Sequence, residues 1–531
     1  MERSRVGSWY AVVGILVFVP IYATYVLTHE YPSLGGGLFL MMSEEITAHG
    51  YTLPARIPHY TSGGIPFSYP PLMLFVVGLL LDIGAPPLTL ARLLPGVLVA
   101  CALVVYAVAT AELLQSRRQG AFAAIVVATA PSVLHLTLTA GGTVRAAALL
   151  FTSAGIYTGV RLFKTGSRTW LLTSIGLFGA TLLTHPLYTI FFGTSYLVFY
   201  FWLDRTAYGL LRGAAVAAGG VVLAAPWWLP VASTHGFEVF LQASTTHDGI
   251  GYLSWYQEFP TETVSVPSPW PPLAILGGLF LLVRRKPLLP SWFITAGVLT
   301  GRDEFLLVIG AMMVAASLFE GVVPLLRRIE TTVLETIETK DGTALSVCKR
   351  GIVRLRSIGP HVCVLAILIL GLIATYGTSS AAVYVAGGEA DDELPMFVHD
   401  ADVAATKWIR SNTTKNASFV VIGDVAEWFP LFTDRTNLVV PQGSEWEGTR
   451  DRQMHMRDQL RPCRDASCLT ARFDQFGLKP DYVYLTASGY ARKQGPRAGE
   501  HRWTRLGHSL RQSPEYEVVF ENQGALIVRR K

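Results

Sequence analysis

Apolar runs of about 18 residues or more recur through the first 385 positions, separated by short polar segments that carry many of the basic residues. Runs of this length cross a bilayer as helices, and the side that collects arginine and lysine is the cytoplasmic one. Arg3 and Arg5 precede the first run, 9–27, and place the N-terminus inside. No small-residue cleavage site follows, so that run reads as a retained span. Further runs lie at 93–113, 121–138, 145–157, 170–183, 188–203, 214–231, 273–283, 288–299, 305–326 and 362–385. They make about eleven spans, an odd number that puts the C-terminal part outside. A shorter apolar piece, 72–84, breaks the parity of every later basic loop if it crosses. It is expected to lie at the membrane surface as an interfacial or re-entrant helix.

Two long polar stretches, 29–71 and 232–267, fall outside on this topology, and a basic loop, 327–360, falls inside. The first outer loop holds Glu44, Glu45, His49, Arg56 and His59 and closes on Tyr69-Pro70-Pro71-Leu72. In a helix starting near Leu38, the residues Leu38, Met41, Met42 and Ile46 share a face, expected to lie toward the membrane. Glu44 and Glu45 stand about 100° apart on that helix, so at most one faces a common site.

After position 387 the pattern becomes that of a globular unit. Asp400 opens a helix, 417–422 and 481–485 read as buried strands with a helix at 450–460 between them, and 515–520 with 525–529 reads as a hairpin. This order predicts a small α/β domain over 387–531, behind a transmembrane domain over 1–386. Asp424 and Glu427, just past the first strand, either face a ligand or cap the next element. No glycine-rich phosphate loop follows either strand.

Composition narrows the class. The chain is 51% hydrophobic and 15% charged, far below the charge of a soluble protein of its length. A net charge of +5 spread over short loops fits membrane orientation and excludes a nucleic-acid surface. The cysteines fit no metal spacing. Cys463 and Cys468, with four residues between them, are either two free thiols or a small disulfide loop in an oxidising compartment.

An inner N-terminus, a large outer loop with carboxylates, many spans and an outer α/β domain resemble the GT-C superfamily of membrane glycosyltransferases. The nearest in pattern are the prokaryotic dolichyl-phosphate-mannose-protein mannosyltransferase-like and aminoarabinose-transferase-like proteins. The residues that carry the resemblance are Gly63 through Leu72 (GGIPFSYPPL), Ala224-Ala225-Pro226-Trp227-Trp228, Arg302-Asp303, and Trp408-Ile409 followed by a strand and Asp424. It covers nearly the whole chain through architecture and short motifs.

The resemblance implies a plasma-membrane enzyme that transfers a sugar, with inversion, from a polyprenyl-phosphate donor to a glycan, lipid or protein acceptor on the outer face. The cofactor stays open, with a divalent metal among the options. Such chemistry needs an acid to take the acceptor's proton and a cation for the leaving phosphate. The family's acid sits at the start of the loop helix, where this chain has Gly35-Gly36-Gly37-Leu38-Phe39 and no carboxylate. Glu44 and Glu45 are therefore the catalytic candidates. His59, Tyr69, Arg145, His247, Arg302 and Asp303 are the substrate-binding ones. Each has a plainer reading: solvated glutamates, a loop histidine, a turn at His247-Asp248, interfacial snorkelling of Arg302 and Asp303. Glu320, deep in an apolar run, is expected to snorkel to the inner side. The oligosaccharyltransferase run Trp-Trp-Asp-Tyr-Gly is absent, since Trp227-Trp228 continues into Leu-Pro; single-sugar transfer is favoured over en-bloc transfer. Two other classes compete, a lipid-linked glycan transporter or flippase and a GT-C-like protein that binds glycans without turnover. Transporters place ionisable groups near the bilayer midplane, whereas here they cluster at the ends of the spans.

Overall fold

The computed structural model describes residues 8–28, 32, 35–139, 142–244, 268–338, 398–487 and 496–531. His247, the expected last span 362–385, and most of the inner loop lie outside these residues.

The chain begins with α1 (Val13–Thr28), α2 (Gly37–Ala48), α3 (Leu72–Asp82), α4 (Pro87–Leu114), α5 (Arg117–Ala128), α6 (Pro131–Leu138), α7 (Gly142–Thr165), α8 (Arg168–Leu182) and α9 (Pro186–Leu203). α10 (Ala207–Leu223), α11 (Ala225–His235) and the short α12 (Glu238–Ser244) follow. Among the described residues five helical stretches are long and apolar enough to cross a membrane: Trp9–Leu27, Pro87–Leu114, Gly142–Thr165, Pro186–Leu203 and Asp303–Ile329. Two bent pairs, α5 with α6 at 63° and α10 with α11 at 61°, raise the number to seven if each pair is one span. The chain is a multi-pass membrane protein. The bends correct the continuous spans expected at 121–138 and 214–231. Pro131 and Pro226 stand in the first turn of the second helix of each pair, where a ring without an N–H suits a helix start and not a helix interior. α3 has 11 residues, a length of about 17 Å, too short to cross the hydrocarbon core and in keeping with a surface position.

The bundle core is aromatic where α9 meets the helices Leu288–Thr300 and Asp303–Ser317. The Phe191 ring stacks on Phe305 at 4.4 Å and on Trp292 at 6.0 Å, and Tyr188 meets Phe305 edge-on at 4.8 Å. Away from this core, Glu320 pairs with Lys286 at 2.6 Å in a π-helical turn, a plain ion pair at the end of its run.

Residues after 398 build a five-stranded sheet in the order β4 (Thr436–Asn437), β3 (Ser418–Ile422), β5 (Tyr482–Thr486), β7 (Ala525–Arg530), β6 (Tyr516–Glu521). β3 runs parallel to both neighbours, while β7 is antiparallel to β5 and β6. Side chains alternate across the pleat, so the sheet has two apolar faces. One face, with Val420, Ile422, Val483 and Leu485, packs on Met456, Leu460, Leu469 and Phe473 of the helices Arg450–Leu460 and Ala466–Phe476. Cys463 and Cys468 form a disulfide in the turn between those helices. The other face, with Phe419, Val421 and Tyr484, packs on Ala405 and Ile409 of the helix Asp400–Asn412, on Leu40 of the first polar loop and on Val77 of α3.

That loop is joined to the sheet unit at several points. Its small hairpin, β1 (Arg56–Ile57) with β2 (Ile65–Pro66), carries Arg56 against Glu447. Thr61 N–H donates to Asn437 at 3.0 Å, and Asn437 N–H donates to the His59 carbonyl at 3.0 Å. The Tyr60 hydroxyl donates to the Glu427 carbonyl at 2.8 Å. Leu38, Met41, Met42 and Ile46 are buried with Ile57, Tyr60 and Leu74, so this face of α2 meets protein and not lipid. The hairpin and α3 cover it.

The glycines before α2 are explained by packing. A Cβ on Gly37 would lie 2.9 Å from the Trp428 Cα and 3.0 Å from the Glu427 carbonyl, both backbone atoms that cannot swing aside. Gly37→Ala is therefore expected to destabilise the loop–sheet junction by about 1–3 kcal/mol, despite alanine's better helix propensity. Limited proteolysis of the detergent-solubilised protein checks this. Cleavage within 398–531 at the wild-type rate would refute the seat.

Candidate functional site

Two polar groupings stand out, and the residues singled out from sequence divide between them. The first is the seam between the loop and the sheet unit. Glu427 is 1% exposed, and its Oε1 accepts the Leu38 N–H at 2.7 Å while Oε2 accepts the Gly35 N–H at 3.2 Å. The Leu38 amide belongs to the open first turn of α2, which has no intrahelical acceptor for it and carries the positive end of the helix dipole, and Gly35 lies just before the N-cap Gly36. Burial pushes the Glu427 carboxyl up to about 7, against the pull of the backbone amides of Leu38, Gly35 and Gly37. Glu427 thus caps a helix, but one almost four hundred residues earlier.

Glu44, Glu45 and His59 belong to this seam. Burial raises the Glu44 carboxyl, partly offset by Arg410, with Glu45 and Asp434 adding to the rise. Glu45 is likewise raised by burial and lies 3.6 Å from the His49 ring. His59 sits in the left-handed region at φ 68°, with Nε2 3.1 Å from Asp434 and Nδ1 3.4 Å from the Thr436 hydroxyl. Burial lowers its pKa against the pull of Asp434. Both ring nitrogens are engaged with the sheet unit, and the structure gives His59 a fastening role there.

The second grouping lies at the mouth of the helix bundle. The close of the loop is pinned there by Leu72 N–H donating to the Leu183 carbonyl at 2.9 Å, where α8 gives way to His185-Pro186. Tyr69 stands edge-on to the His185 ring at 6.4 Å, and His185 to Tyr188 at 5.3 Å. Phe39 of α2 touches Tyr69 at 4.8 Å and Trp446 of the sheet unit lies 5.8 Å from it. Burial raises the Tyr69 phenol, with Arg145 pulling the other way. Arg145, in the first turn of α7, also lies within electrostatic reach of Tyr188 and of Glu304.

Glu304 is the residue that sequence reading passed over. It follows Arg302 and Asp303, is only 4% exposed, and interacts with both Arg302 and Arg145. Its helix begins at Asp303, so the carboxylate sits at a helix N-terminus as well as beside two guanidinium groups. The Ser68 and Tyr188 hydroxyls nearby along these elements are buried without a hydrogen-bond partner among the described residues. Buried orphan hydroxyls are uncommon and suit a polar ligand. None of the charges of this group acts on Glu44 or Glu45 among the described residues. Beside it, a narrow, largely apolar cleft open to solvent runs between α2, α3 and the starts of α4 and α7, lined by Phe39, Leu74, Leu90, Thr143 and Val144. Among the described residues no three His, Cys, Asp or Glu side chains gather as a metal site would need.

Solved structures of known proteins share the overall fold. ArnT from Cupriavidus metallidurans bound to undecaprenyl phosphate matches over 98% of this chain and 98% of its own, at TM-score 0.55 and 15% identity. AglB, an archaeal oligosaccharyltransferase from Archaeoglobus fulgidus in complex with an inhibitory peptide and a dolichol-phosphate, matches over 89% of this chain and 69% of its own, at 0.53 and 12%. The arabinofuranosyltransferase AftD from Mycobacteria matches over all of this chain and 42% of its own, at 0.53 and 12%. This chain has the GT-C fold. No family model and no curated protein matches its sequence.

The Glu427 cap makes stability depend on pH. Its carboxyl is raised from the ordinary 4.5 to about 7 in the folded protein, so the folded state holds its proton more tightly than the unfolded chain. That contribution is complete below pH 4.5 and is lost as pH rises through 7. It amounts to on the order of 3 kcal/mol. Denaturant unfolding from pH 4.5 to 7.5 should show this fall in the wild type and a flatter profile in Glu427→Gln. Equal slopes would rule out Glu427 as its source.

Proposed function

We propose that this protein is a membrane glycosyltransferase that moves a sugar from a polyprenyl-phosphate donor to an acceptor on the outer face of the membrane. The observation that carries this reading is the buried Glu304 held near Arg145 and Arg302 at the bundle mouth. An acid to take a proton and cations to receive a phosphate are the two requirements of the reaction. The lipids named in the ArnT and AglB structures, undecaprenyl phosphate and a dolichol-phosphate, support a donor of this class.

In this reading residues 1–386 are the transmembrane domain, with a cytoplasmic N-terminus, and 387–531 lie outside, where the Cys463–Cys468 disulfide is at home. The donor's chain lies along the apolar cleft and its phosphate reaches Arg145, one residue past the lining residue Val144. The acceptor hydroxyl gives its proton to Glu304 and its oxygen attacks the anomeric carbon from the side opposite the phosphate. The bond between that carbon and the phosphate oxygen breaks with inversion, and the polyprenyl phosphate leaves with the bonding pair. Arg145 and Arg302 take up the charge that develops on it. Tyr69 and Tyr188 border the sugar, while Asp303 supports the start of its helix. Glu44 and Glu45 stay as the competing acids for the proton.

Transfer from radiolabelled polyprenyl-phosphate sugars decides among these carboxylates. Glu304→Gln should lower kcat by about 10²–10⁴ and Arg145→Gln by a similar factor, while Glu44→Gln and Glu45→Gln stay within a few-fold of wild type. Full transfer by Glu304→Gln with loss in Glu44→Gln or Glu45→Gln would return the base to the loop. Donor binding without transfer by the wild type would make this a glycan-binding protein instead.

A further inference from the structure

The sheet unit has a second cavity that the transfer site does not use. The connection leaving β3 passes to one face of the sheet, where Phe429 enters the core, and the connection leaving β4 passes to the opposite face, where Met456 and Leu460 are buried. Adjacent parallel strands whose connections part in this way open a crevice at their carboxyl ends, the usual ligand position in open α/β sheets. A small pocket open to solvent lies there. Its walls include Gly423 and Glu427 after β3, Gln442 after β4, and Arg457 and Arg461 at the end of the helix Arg450–Leu460. Gly423, at φ 143°, ends the strand where a Cβ would lie 1.9 Å from Thr486 Cγ2, so its bare backbone follows from the packing of β3 on β5.

The polar lining has a definite chemistry. Arg457 and Arg461 are four positions apart, one helical turn, and so present two guanidinium groups on one side. Arg457 shares Asp458 at 3.2 Å, and that aspartate is more than half exposed. Arg461 has no side-chain hydrogen bond or ion pair among the described residues. Gln442 and Glu427 come from the two strand ends and offer partners to hydroxyls. Two arginines suit a compact anion, and neighbouring amide and carboxyl groups suit the hydroxyls of a sugar that carries it.

We propose that this crevice binds an anionic saccharide unit, its carboxylate or phosphate on Arg457 and Arg461 and its hydroxyls toward Gln442 and Glu427. The assignment of the ligand to a sugar rests on the transferase reading, and it names an acidic glycan as the class of acceptor or donor. The cavity also borders Glu427, the cap of α2, so an occupant here sits one residue from the seam that holds the outer loop.

The test is ligand-dependent thermal stabilisation of the full chain in detergent, with glucuronate, glucose 1-phosphate and glucose as probes. Glucuronate or glucose 1-phosphate should raise Tm saturably and glucose should not, and the two anionic probes separate a carboxylate from a phosphate source. In Arg461→Gln the apparent Kd should rise at least tenfold, in Arg457→Gln several-fold, with Tm in the absence of probe unchanged for Arg461→Gln. No shift with either anion, an equal shift with glucose, or a shift untouched by Arg461→Gln overturns the proposal. Binding is read without turnover. An active transferase that fails here loses only this crevice, and a protein that binds here but transfers nothing loses only the transferase reading.

Discussion

The open end of α2 is closed by a carboxylate from the other end of the chain. Four amides at a helix start have no partner within the helix, and burying them unpaired costs free energy comparable to a lost hydrogen bond each. Glu427 answers one of these needs through Leu38 and takes the Gly35 amide just before the helix, and Gly36 and Gly37 leave room for Trp428 beside it. Remove that seat and the loop has no fixed register against the sheet unit. The paired backbone bonds between His59, Thr61 and Asn437, and the Arg56–Glu447 pair, extend the same junction.

What the junction achieves is a mouth built from distant stretches of chain. Phe39 comes from α2, Tyr69 from the end of the loop and Trp446 from the sheet unit, and they meet beside His185 and Tyr188 at the start of α9. Arg145 and Glu304 arrive from two further helices. The Phe191–Phe305 stack holds the start of the Asp303 helix against α9, so the residue next to Glu304 is fixed by apolar packing. Charge is thereby separated into two places. One is a seam whose carboxylates and histidine serve the junction, and the other is a mouth where a carboxylate faces arginines.

Much of this was legible in the chain because local physics determines it. Apolar runs long enough to span, the alternation of β3 and β5, the terminal hairpin and the break at His185-Pro186 all follow from periodicity and from what proline forbids. Tyr69, Arg145 and Arg302 could be nominated because polar groups at the ends of spans are costly without a purpose. The bends at Pro131 and Pro226 were written in the sequence too, but hydropathy runs straight through a proline and conceals the missing N–H.

The glycine run beside Phe39 is where sequence and tertiary structure part. By itself the sequence determined that a flexible, carboxylate-free segment starts the loop helix, and that Glu427 follows a buried strand. Only the tertiary structure decided that these are partners, because a hydrogen bond between residues 392 positions apart leaves no periodicity in either segment. The same holds for Glu304. In sequence it is one acid at the edge of an apolar run, and only the packing of the Asp303–Ser317 helix buries it within electrostatic reach of Arg145.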